Sequence, residues 1–134
     1  MYSYIFILPD CVYLPRKTKE DKKVMLNMNV YRNLHNLVKA EIKRLFMPTS
    51  PCYGYDPFFT AKKIEITYTV EKKSKRKYDT MNIISIVDKF FLDWLVDNGF
   101  IEDDTCLNVQ YSKITGKNDC ESNRVIAEIR ILNG

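Results

Sequence analysis

The sequence predicts an α+β fold: a mixed β-sheet of about four to five strands packed against two main helices, in the order β-α-β-α-β-β. Three observations lead there. Apolar and polar residues alternate from Ile64 to Val70, apolar residues recur at helical spacing in two other stretches, and turn residues punctuate the chain between them. The 134 residues suit one domain with one hydrophobic core, and neither an internal repeat nor a dividing linker is present.

The elements follow in order. Ser3 to Leu8 are largely β-branched or aromatic and read as a buried strand ended by Pro9. Residues 10–28 read as a long charged connection with a short strand at Val24–Leu26. From Asn29, the residues Tyr31, Leu34, Val38, Ile42 and Leu45 describe one amphipathic helix, capped by Asn27 or Asn29 and stopped by Pro48. Pro48, Pro51, Gly54 and Pro57 mark a loop. The Ile64–Val70 strand follows, with one wet face. Next comes a helix on which Ile83, Val87, Phe90 and Trp94 share one side, with Ile84, Phe91 and Leu95 beside them. Asp79 or Thr80 suits its first turn, and Gly99 suits the left-handed residue that ends it. Two strands close the chain, around Cys106–Ile114 and Arg124–Leu132.

Composition narrows the function classes. An apolar fraction of 46% and a charged fraction of 28% are those of an ordinary globular protein. No apolar run approaches the ~20 residues of a membrane helix, and MYSYIFILPD reads as a strand rather than a signal peptide. Cys11, Cys52, Cys106 and Cys120 lack CxxC spacing and His35 is the only histidine, which argues against zinc and for reduced cytoplasmic thiols. His35 itself reads as a surface or satisfied residue.

The net charge of +4 is unevenly spread. Lys72, Lys73, Lys75, Arg76 and Lys77 crowd together before Asp79, and Arg16, Lys17, Lys19, Lys22 and Lys23 form a second run. Either could be a solvated loop; together they point to a polyanion. Tyr53, Tyr55, Phe58 and Phe59, in the Pro-rich loop, suit stacking on opened nucleic acid.

Asp79 opens the second main helix, and Glu102-Asp103-Asp104 follow its terminal glycine. Converging aspartates repel unless a cation lies between them, and an oxygen-only set selects Mg²⁺ or Mn²⁺. Such an ion beside a basic loop suits phosphodiester hydrolysis. A helix of ~30 Å separates these ends, so convergence requires the chain to fold back or two subunits to share a site. The alternative is a helix cap and a solvated acidic loop.

The segment from Asp79 to Asp104 resembles the core of the RusA-type Holliday junction resolvases, enzymes borne by phages and prophages. The family pattern of Asp-x-Asp-Asn at a helix start reads here Asp79-Thr80-Met81-Asn82. Its Gly-aromatic helix end and Asp-Asp pair read Gly99-Phe100-Ile101-Glu102-Asp103-Asp104. The resemblance implies a homodimer in the bacterial host cytoplasm that nicks four-way DNA junctions symmetrically with Mg²⁺, or with Mn²⁺ in its place. It implies Asp79 and Asp104 as metal ligands, with Asp103 assisting.

Two positions depart from the pattern: Met81 stands at the family's second aspartate and Ser85 at its lysine. Asp88 and Lys89, two turns into the helix, are candidates to replace them. Lys72, Lys73, Lys75, Arg76 and Lys77, with Arg16 and Lys17, are the candidate DNA contacts. Phe90, Phe91, Trp94 and Leu95 exceed what one sheet contact needs, so a dimer interface is expected at or beside Trp94. Two rival readings remain, a junction-binding module that does not cut and a small phage protein that occupies a host factor.

Overall fold

A computed structural model describes residues 3–49 and 60–133. The Pro-rich loop aromatics Tyr53, Tyr55, Phe58 and Phe59, with Cys52, lie outside the described residues. Strand β1 (Ser3–Leu8) is followed by a hairpin of β2 (Cys11–Leu14) and β3 (Lys22–Met25). Helices α1 (Met28–Tyr31) and α2 (Asn36–Leu45), strand β4 (Lys63–Glu71), helix α3 (Thr80–Asp97) and strands β5 (Val109–Lys117) and β6 (Arg124–Asn133) complete the order. The α+β expectation holds: a mixed four-stranded sheet, ordered β1-β6-β4-β5, packs against helices.

Two local readings need correction. The 10–28 connection is a β-hairpin, because Val12 and Val24 pair across it and are both buried. The first amphipathic helix is two helices. Asn27 caps α1, and His35 then starts α2 by accepting the Leu37 N–H on its Nδ1 at 3.1 Å. His35 is thus a satisfied surface residue.

Strand β4 is the centre of the sheet. It runs parallel to β5, joined to it through α3, and antiparallel to β6. The closing strands β5 and β6 are not neighbours, since β6 inserts between β4 and β1. The alternation read from Ile64 to Val70 is real: Ile64, Ile66, Tyr68 and Val70 are all buried.

Asp79 caps α3 by accepting the Met81 N–H at 3.0 Å. At the far end Gly99 adopts φ +74°. Its N–H reaches Val96 O at 3.1 Å and the Phe100 N–H reaches Leu95 O at 2.9 Å, the paired bonds of a glycine-terminated helix. Gly116 of β5 faces this helix's start, where any Cβ would meet the Thr80 hydroxyl; glycine lets helix and strand approach.

The wide apolar face of α3, expected to leave surface for a partner, is consumed within the chain. Phe91 meets Phe6 and Tyr68 on the sheet side, while Phe90 meets Tyr31 and Phe46 on the other. Leu95 is fully buried, and half-buried Trp94 packs on Phe6, Phe91 and Phe100. This helix lies between two intrachain partners, so Phe90, Phe91 and Leu95 are core, while Trp94 stays half-buried at the edge of that core.

Candidate nucleic-acid interface and acidic cluster

The unit β4–α3–β5 sets a cationic end and an acidic end apart. The basic loop after β4 is held against the β5–β6 turn by its backbone. The Lys72 N–H donates to Lys117 O at 3.1 Å, Cys120 N–H to Lys72 O at 2.9 Å, and Asp119 N–H to Ser74 O at 3.2 Å. The Asn123 side chain accepts the Lys73 N–H at 2.7 Å, and Asn118 donates to Arg76 O. Asp119 takes φ 55° to make the turn. Lys73, Lys75, Arg76, Lys77 and Lys117 are all exposed on this braced pair of loops.

Lys72 does not belong with them. Its ammonium lies 2.7 Å from the Asp10 carboxylate, with side-chain exposures of 13% and 9%. The pair joins the basic loop to the base of the β2–β3 hairpin, so Lys72 is a tether. Of the second basic run, Arg16 donates to the Glu20 carbonyl at 2.7 Å within the hairpin turn, and Lys17 is exposed.

The acidic end is built differently from the sequence expectation. Asp79 stands at the N-terminus of an 18-residue helix and Asp103–Asp104 follow its C-terminus, a separation of ~27 Å along α3. Within one chain Asp79 stands apart from Asp104. The carboxyl on which the Asp104 charge acts is Asp88, at the middle of α3.

Asp88 accepts the Tyr68 hydroxyl on Oδ1 and the Tyr111 hydroxyl on Oδ2, each at 2.5 Å. Tyr68 comes from β4 and Tyr111 from β5, and the two rings stack with centroids 6.2 Å apart and planes at 29°. Tyr111 pairs in register with Ile66, on the same face of β4 as Tyr68, and one residue is inserted in β5 just after it. Lys113 pairs with Thr67, so Ser112 bulges, and Tyr111 and Ile114 both turn toward α3.

Burial pushes the Asp88 carboxyl above the usual carboxylate range; the two tyrosine hydrogen bonds oppose this, and the Asp104 charge adds to it. Burial also raises both phenols, with the charge of Asp88 reinforcing the shift. Tyr111 is raised by Asp104 as well. Asp103 accepts the Asp104 N–H at 2.8 Å, which shapes the acidic loop.

Lys89 takes no part in this cluster. Its ammonium lies 5.3 Å from the centroid of the Tyr31 ring, on the side of α3 that faces α1. Ser85 donates to the Met81 carbonyl at 2.6 Å, a hydroxyl turned back on its own helix.

Magnesium requires several oxygen ligands at near-octahedral geometry. Among the described residues, no group of three or more His, Cys, Asp or Glu side chains could hold a metal ion. Both Asp88 oxygens already accept phenols. One chain therefore does not fit the cation that the resemblance implies.

Sequence reasoning missed Tyr68 and Tyr111. A signal existed: Tyr68 occupies an inward position of an alternating strand, and a buried phenol needs a hydrogen-bond partner. Compared with known proteins, the chain matches no family model and no curated sequence. No helix of the described residues is long and apolar enough to cross a membrane.

Proposed function

We propose that this chain binds branched DNA, in particular the four-way junction, as a homodimer in the cytoplasm of a bacterial host. One observation carries the reading: the exposed cations Lys73, Lys75, Arg76 and Lys77, with Lys117, ride on loops fixed by backbone hydrogen bonds. A braced row of cations meets phosphates with little ordering cost, which a free lysine tail does not. The Asp79–Asp104 motif resemblance to junction resolvases supports the choice of branched over linear DNA.

A second reading is Mg²⁺- or Mn²⁺-dependent hydrolysis of that junction. The charge of Asp104 acting on the Asp88 carboxyl favours it. The remaining ligands would have to come from a second copy, for which Asp79 is the candidate. A labelled four-way junction, incubated with and without Mg²⁺, separates these readings. Retarded complexes without nicks support binding alone, paired nicks support hydrolysis, and neither outcome leaves the host-factor reading.

A further inference from the structure

We propose that Tyr111 is a stacking platform for an unpaired nucleobase, an inference that rests on the branched-DNA reading. Most surface tyrosines swing about two side-chain torsions; this one is fixed at two points. Its hydroxyl is held by Asp88 at 2.5 Å, and one ring face stacks on Tyr68. Tyr68 beneath it is fully buried, whereas Tyr111 keeps 46% of its surface exposed. The result is a two-ring stack with its inner ring in the core and its outer ring open to solvent.

A part-exposed, immobilised aromatic ring loses little entropy when a third ring is laid on it. A base has that shape, and stacking accepts every base because each presents a π-face. Fully paired duplex offers no free face, while a branch point or single strand does. The nearby carboxylates Asp88 and Asp104 disfavour phosphate at this spot, so the base rather than the backbone is the group that fits.

Tyr111→Phe and Tyr111→Leu both delete the hydroxyl that meets Asp88, so the difference between them isolates the ring. Affinities of the full chain and both variants are measured for a four-way junction, a single-stranded oligonucleotide and a paired duplex. Circular dichroism confirms folding. The expected result is that Tyr111→Leu binds the junction and the single strand roughly tenfold to a hundredfold more weakly than Tyr111→Phe, with duplex affinity equal. Loss on the single strand alone assigns the platform to displaced strands, and loss on the junction alone to the branch point; either supports it. Equal affinities of the two variants on every substrate, with the parent chain binding the junction, overturn the platform while leaving junction binding intact. Equal losses on duplex make Tyr111 a structural residue and overturn it too. A parent chain that binds none of the three overturns both readings.

Discussion

The Asp88 carboxylate receives the Tyr111 hydroxyl at 2.5 Å, fastening the middle of α3 to the start of β5. This carboxyl is raised, chiefly by burial, so the folded chain holds a proton at pH values where the unfolded chain has released it. Stability from this group is therefore lost as pH rises from the ordinary carboxylate value through the raised one. Asp88→Asn removes that loss. The urea midpoint of the variant relative to the parent should climb across this interval and be flat below it. A difference independent of pH contradicts the assignment.

Lys72 and Asp10 should behave as a structural pair. Lys72→Met leaves the Asp10 carboxylate, 9% exposed, without its cation. A loss of roughly 2–3 kcal/mol is expected from chemical denaturation. DNA affinity of the folded variant should match the parent at each salt concentration. A change in its salt slope would return Lys72 to the phosphate-binding set.

Asp79 is a helix cap in the single chain, and capping tolerates asparagine but not alanine. Asp79→Ala should cost about 1 kcal/mol of stability and Asp79→Asn only a few tenths. The same two variants bear on hydrolysis. If Asp79→Asn, stable and still bound to the junction, loses nicking activity, the carboxylate has a role beyond the cap.

Much of this was legible in the sequence because the signals are local. The β4 alternation, the Asp79 cap and the Gly99 terminus each depend on residues within a few positions, and each appears where expected. The first helix broke because His35 caps as well as Asn27 does, and a continuous apolar period conceals a new start. What stayed hidden depends on strand order. That Lys72 meets Asp10, 62 residues away, follows only from the sheet order, in which β1 and β4 flank β6 and Leu8 and Val70 both pair with Val125. The Tyr68–Asp88–Tyr111 cluster likewise needs the parallel pairing of β4 with β5, which sets Tyr111 opposite Ile66 on the face of β4 that carries Tyr68. Helix α3 looked oversupplied with aromatics because sequence does not show that it is covered on two sides.

If the braced cationic edge binds branched DNA, a salt titration of junction affinity will show it. The parent chain should bind a four-way junction at least about tenfold more tightly than a duplex of equal length. Its affinity should fall linearly on a log–log plot against salt. Replacing Lys73 and Arg76 by Ala should reduce that slope by roughly one unit per lost contact. Equal affinity for junction and duplex, or a slope the double variant leaves unchanged, would show that this loop does not recognise branched DNA.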